Sequence, residues 1–172
     1  MDIKRMIREI PDFPQKNINF KDITTLLKDK EALRYTSDLI INYFQGKGIT
    51  KVLGIEARGF IFGGILAQGL DAGFVPVRKK GKLPARTISE TYALEYGTDC
   101  IEIHSDALQK NDVVLIHDDL LATGGTAHAV LNMVHAAGVK QIYFSFICDL
   151  AFIQNSKKEV IAGYDPQILV RY

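Results

Sequence analysis

Two adjacent acids, Asp118 and Asp119, close the apolar run Val113-Val114-Leu115-Ile116-His117 and precede Leu120-Leu121-Ala122-Thr123-Gly124-Gly125-Thr126. A buried strand that opens through glycines into a helix offers an anion a nest of backbone N–H groups and the positive end of the helix dipole. Gly124 and Gly125 lack a Cβ, so the backbone there can close on a phosphate and adopt positive φ. The carboxylates supply acceptors suited to sugar hydroxyls. Capping the loop would need one acid, and two neighbouring carboxylates repel, so the pair points to a ligand. The loop has neither the Gly-Lys-Ser/Thr ending of a nucleoside-triphosphate loop nor the Gly-x-Gly-x-x-Gly of a dinucleotide fold. Phosphate beside ribose is the chemistry these residues suggest.

Three further sets stand out. Glu56-Ala57-Arg58-Gly59 leaves one apolar strand for a helix, which makes it a solvated charged loop or a second anion-facing turn. Arg78-Lys79-Lys80-Gly81-Lys82-Leu83-Pro84 is a dense cationic run. It has no interleaved aromatics for stacking single-stranded nucleic acid, and its charge suits a diphosphate leaving group. Glu90-Thr91-Tyr92-Ala93-Leu94-Glu95-Tyr96-Gly97 is either an edge strand or part of a lid that closes over substrate.

These residues need a scaffold. Ile3, Met6, Ile7 and Ile10 recur at helical spacing, and Pro11 and Pro14 break that pattern, leaving residues 11–22 irregular. A helix is expected over 29–44, with Leu33, Thr36, Ile40, Tyr43 and Phe44 on one face and Gly46 and Gly48 ending it. A strand at 51–55, a helix at 59–70 and a strand at 74–78 follow, with Pro76 arguing for an edge or ladder-free position. A basic loop is expected over 79–91, then strands at 92–96 and 100–104 about a turn at Gly97-Thr98-Asp99. A strand at 113–117, a helix at 126–137, a stop at Gly138 and a strand at 141–148 complete the pattern, with weaker extended pieces at Val160-Ile161 and 167–170. Strands alternating with helices predict an α/β fold whose mostly parallel central sheet has helices on both faces. Sites in such sheets lie beyond the carboxyl ends of the strands, where Glu56, Arg78 and Asp118 fall.

At 172 residues the chain is expected to form one domain spanning residues 1–172. It is 47% hydrophobic and 24% charged with a net charge of +1, a globular balance that implies no general attraction to nucleic acid or membranes. Cys100 and Cys148 have no metal-ligand spacing and are expected to be free thiols in a cytoplasmic setting.

The run from Val113 to Thr126 resembles the phosphoribosyl-pyrophosphate motif of the phosphoribosyltransferases. Pro11-Asp12-Phe13-Pro14, followed by Phe20-Lys21-Asp22-Ile23, resembles the adenine-specific branch of that family. The resemblance runs from Ile10 to about Leu150. It implies the phosphoribosyltransferase-like fold with a flexible hood loop, and a reaction of purine salvage in which adenine and phosphoribosyl pyrophosphate give AMP and pyrophosphate. By the same resemblance, Ala122, Thr123, Gly124, Gly125 and Thr126 wrap the 5′-phosphate, and Asp118 and Asp119 hold the ribose hydroxyls. Glu56, Ala57, Arg58, Arg78, Lys79 and Lys82 face pyrophosphate, with a cis peptide at Glu56–Ala57. Backbone groups at Asn19 and Lys21 read the purine edge beside Phe20, while Leu150 and Arg58 pack on the ring. Glu95 and Arg58 are the implied catalytic residues, Glu95 handling the proton of the attacking base. Mg²⁺ arrives with the donor, with no dedicated protein cage, and a homodimer is implied. The departures are His117, where relatives carry an aliphatic residue, and Arg86, where a small or acidic one is expected. His117 is expected to be a core histidine with a satisfied hydrogen bond. Turnover of a 6-oxopurine, or a non-catalytic sensor of phosphoribosyl pyrophosphate, are the alternatives left open.

Overall fold

The computed structural model describes residues 1–93 and 97–172. In chain order it contains α1 (Ile3–Met6), β1 (Arg8–Ile10), β2 (Phe20–Asp22), α2 (Thr24–Leu27), α3 (Lys30–Phe44), β3 (Lys51–Ile55), α4 (Gly59–Gly69) and β4 (Gly73–Lys79). Then come β5 (Thr87–Ala93), β6 (Thr98–His104), β7 (Val113–Leu121), α5 (Gly125–Ala136), β8 (Gln141–Asp149), α6 (Ser156–Ala162) and β9 (Gln167–Arg171). Among the described residues seven strands form one sheet in the order β5-β6-β4-β3-β7-β8-β9, and β1 and β2 form a separate ribbon. The pairs among β4, β3, β7, β8 and β9 are parallel, while β6 runs antiparallel to β4 and β5.

Helices cover both faces, as the alternation of strands and helices predicts. On one face Val114 and Ile116 of β7 and Leu53 of β3 pack with Val130 and Val134 of α5 and Ile161 of α6. On the other, Leu115 and Val52 pack with Ile40 and Phe44 of α3 and Leu66 of α4. Successive β7 residues thus feed opposite cores, which accounts for the unbroken apolar run of a strand buried on both sides. The α3 helix starts where Asp29 caps it, its carboxylate accepting from the N–H groups of Glu31 and Ala32. Its buried face is Ala32, Thr36, Ser37, Ile40 and Phe44. Tyr43, expected there, is exposed and packs edge-on against Phe44.

Several boundaries differ from the sequence expectation. The first helix ends at Met6 because Ile7 turns extended, and Arg8 to Ile10 pair with Phe20 to Asp22. The strand bearing the acids continues to Leu121, because β8 pairs with it as far as Leu121 opposite Asp149. The basic loop is shorter than expected, since β5 begins at Thr87. Its inward positions include Glu90, whose polarity hides the alternation and whose carboxylate accepts from Asn132. Thr98 and Asp99 belong to β6 and not to a turn. Val160 and Ile161 lie in the helix α6, started by an Asn155 cap and too short to show a periodicity. Pro76 sits inside the sheet, but β6 pairs only with Arg78 and Lys79, so Pro76 lies in a stretch of β4 that β6 does not reach.

Candidate active site

The Thr-Gly-Gly-Thr loop takes the form a phosphate cup needs. Gly124 is the N-cap of α5 with φ 79°, in the left-handed region that disfavours a side chain. A Cβ there would also lie 2.8 Å from the backbone of Lys158 at the start of α6. The first α5 turn borders a small pocket that Asp118, Ala122, Thr123, Gly124, Gly125 and Thr126 help to line. The Thr123 hydroxyl accepts from the Gly125 N–H. Lys158 is a neighbour that the sequence does not reveal, because Val160-Ile161 has the look of an extended piece and not of a helix.

The acid pair divides its labour. Asp119 is buried, and its carboxylate pairs with the guanidinium of Arg58, the N-cap of α4. Asp118 is half-buried, and its Oδ1 accepts from the Asp119 N–H at 2.9 Å. Burial, reinforced by the charge of Asp119, pushes the Asp118 carboxyl well above the ordinary range. The repulsion evident in the sequence is thus met by one carboxylate bound to a cation and a neighbour biased toward its neutral form. Gly59 lets α4 approach this far, since a Cβ on it would stand 2.9 Å from the His117 carbonyl oxygen and 3.0 Å from Asp118 Oδ1.

Glu56 and Ala57 are joined by a cis peptide bond, as the resemblance implies. The Glu56 carboxylate gathers the cationic run: Lys82 Nζ lies 2.6 Å from Oε1, the Lys79 N–H 3.0 Å from Oε2 and Arg78 Nε 3.3 Å from Oε2. Burial works to raise the Glu56 carboxyl, but Lys82, the Lys79 amide and Arg78 outweigh it and bring it to about 2. Lys79 Nζ turns instead to Asp99 at 3.0 Å, an acid of β6 that the sequence reading did not single out. Asp99 in turn accepts from the Tyr92 hydroxyl at 3.4 Å, and the Tyr92 ring lies 3.5 Å from a Cβ built on Gly125. The β5–β6 hairpin is therefore seated over the start of α5. Glu95, the expected proton handler, lies outside the described residues. Arg86 is exposed, and its carbonyl accepts from the Ser105 N–H.

Phe20 forms the other wall, with its ring 5.1 Å beneath the Arg58 guanidinium and edge-on to Phe13 at 5.3 Å. Leu150 is half-buried at the end of β8, its N–H bonded to the Leu121 carbonyl and its own carbonyl taking Lys158 Nζ at 2.6 Å. The structure thus brings Phe20, Arg58 and Asp119 into one linked set and ties Leu150 to the phosphate loop through α6. His117 is fully buried below them, edge-on to Phe62 at 6.1 Å. It is a core histidine, but neither ring nitrogen has a partner in good hydrogen-bond geometry among the described residues. Burial drives its pKa down to about 3, against a weaker upward pull from the Ser145 backbone beside it.

Paired acids near the end of β7, the glycine turn that follows and a cation-gathering loop after the neighbouring β3 form an arrangement suited to a phosphorylated sugar. The phosphoribosyl transferase domain model matches residues 22–165. An adenine phosphoribosyltransferase of Bacteroides fragilis is 57% identical over 146 residues, which cover 85% of this chain and 82% of that one. The solved adenine phosphoribosyltransferase of Rhodothermus marinus, 49% identical, superposes with a TM-score of 0.91 over 99% of this chain and 96% of its own. That of Giardia lamblia, solved with 9-deazaadenine, is 39% identical with a TM-score of 0.92 over 99% and 96%. The chain belongs to the phosphoribosyltransferase family, within the branch of the adenine phosphoribosyltransferases.

Proposed function

We propose that this chain joins adenine to the ribosyl group of phosphoribosyl pyrophosphate, yielding AMP and pyrophosphate in purine salvage. The observation that carries this reading is the continuity of β7, the Asp118-Asp119 pair and the glycine cup at α5, with Arg58 bound to Asp119 from the neighbouring loop. Amides from Thr123 to Thr126 grip the 5′-phosphate, and the acid pair receives the ribose 2′ and 3′ hydroxyls. Arg58, Arg78, Lys79 and Lys82 neutralise the pyrophosphate as the C1–O bond breaks through an oxocarbenium-like state. N9 of adenine forms the new bond to C1, and Glu95 takes the proton the base sheds.

Base choice is made by main-chain groups at Asn19 and Lys21. Adenine presents a donor at C6 where hypoxanthine presents an acceptor, so a carbonyl aimed there leaves the wrong base with an unpaired group. Phe20, Arg58 and Leu150 bound the ring. Among the described residues no three His, Cys, Asp or Glu side chains converge in a way that could hold a metal. A Mg²⁺ would be held mainly through donor oxygens and water, and would add positive charge beside the leaving diphosphate.

The working unit is a homodimer, the assembly that membership of the family implies. No helix among the described residues is long and apolar enough to cross a membrane. We place the enzyme in the cytoplasm, where the free thiols Cys100 and Cys148 remain reduced. A coupled assay of pyrophosphate release tests the function: adenine is turned over with phosphoribosyl pyrophosphate, and hypoxanthine, guanine and xanthine are not. Turnover of a 6-oxopurine in place of adenine would remove the specificity, and turnover of none would favour a sensor.

A further inference from the structure

Of the residues assigned to read the base, Lys21 sits in the β1–β2 ribbon and Asn19 immediately precedes it; the ribbon has three residue pairs and lies outside the main sheet. A two-stranded ribbon of this length is not stable alone, so side-chain ties must fix its aim. One tie is the pair of bonds from Arg8 to the buried carboxylate of Asp22, which also caps Thr24. The other is Glu9. A single oxygen of Glu9, Oε2, accepts from Asn19 Nδ2 at 2.6 Å and from Lys21 Nζ at 2.8 Å.

Asn19 and Lys21 are the two residues whose main-chain groups are placed against the purine, and Glu9 stands opposite Lys21 in the ribbon. The Lys21 side chain is 6% exposed, and such a cation needs a paired acid. Its ammonium also lies 4.0 Å from the centre of the Tyr172 ring. The Tyr172 backbone bonds to Asp149 and Ala151, on either side of Leu150. Through Lys21, Glu9 therefore joins the reading edge of the base site to the segment that bears its apolar wall.

From this geometry we propose that Glu9 is a positioning residue for base recognition: it holds Asn19 and Lys21 by their side chains so that their main-chain groups stay aimed at the purine edge. The proposal rests on the base being read at Asn19 and Lys21, as put forward above. Glu9 touches no reacting atom, so its loss should appear in base binding and not in the chemical step.

Initial rates with both substrates varied, on Glu9→Ala and Glu9→Gln, test this. In Glu9→Ala the KM for adenine rises about tenfold, the order expected for losing charge-assisted hydrogen bonds. Its kcat and its KM for phosphoribosyl pyrophosphate stay within about twofold, since neither depends on the base edge. Glu9→Gln keeps an acceptor, so its rise in adenine KM is smaller, about two- to threefold. Should the alanine variant fail to fold, the glutamine variant carries the same test, and no rise there overturns the proposal. Adding adenine to the ¹⁵N-labelled unmutated protein tests the underlying reading separately. If the Asn19 and Lys21 amides do not shift, the base is read elsewhere and the proposal falls with that reading. If they shift while Glu9→Ala leaves the adenine KM unchanged, or alters kcat and both KM values together, the role of Glu9 is overturned and the reading stands.

Discussion

Arg58, the N-cap of α4, is ion-paired with Asp119 in the interior of β7, and the same guanidinium lies over the ring of Phe20. One side chain therefore links the acid pair to Phe20, the aromatic residue proposed to line the base site. Asp119 is almost wholly buried and Arg58 is not, so the acid anchors the more exposed partner.

Removing the charge of Asp119 should loosen both the ribose contact and Arg58. Asp119→Asn is expected to raise the KM for phosphoribosyl pyrophosphate by about tenfold to a hundredfold, the cost of a charge-assisted contact or two. The adenine KM should rise by a smaller factor, through the loosened Arg58. Two-substrate initial rates check this, and a normal donor KM would withdraw the role given to Asp119.

Gly124 is constrained both by its positive φ and by the Lys158 backbone. Gly124→Ala is expected to cost at least about 1–2 kcal/mol from the left-handed conformation alone. Displacing α6 to make room should weaken the donor further. Urea denaturation and donor KM measure the two effects, and a variant equal to the parent in both would mean that the loop does not need this geometry.

His117 gives a pH prediction with a definite sign. Its folded pKa of about 3 lies below the ordinary value of 6.5, so between those values the unfolded chain binds a proton that the folded chain does not. Stability contributed at neutral pH is therefore lost as the pH falls through 6.5, by about 2 kcal/mol at pH 5. His117→Val removes that slope. Comparing each protein with itself at about pH 7.5 and pH 5 cancels the small packing change. Equal losses in the two proteins would contradict a buried neutral imidazole.

Glu95→Gln should lower kcat by about 10²–10⁴-fold, the range of a general acid–base contribution, with little change in the adenine KM. An unaltered kcat would dismiss Glu95 as the proton handler.

Most of the α/β frame was legible because β3, β7 and β8 are buried on both faces and read as continuous apolar runs. The glycine turn that starts α5 was legible because glycines and paired acids are rarely needed there for packing. The end of β7 was hidden because acids interrupt the apolar run, and pairing with β8 outweighs that local signal. The β1–β2 ribbon was hidden because helical spacing in Ile3, Met6, Ile7 and Ile10 competes with a cross-strand partner ten or more residues away. The Lys79–Asp99 and Glu9–Lys21 ties join segments distant in sequence, and charge spacing along one strand carries no trace of them.

The claim on which the account turns is that the amides after Asp119 grip a ribose-bound phosphate. Titrating the ¹⁵N-labelled protein with AMP and, separately, with adenosine tests it most directly. The account predicts large shifts of the Gly124, Gly125 and Thr126 amides with AMP and little movement there with adenosine. Equal responses to the two ligands, or AMP shifts confined to other parts of the chain, would contradict it.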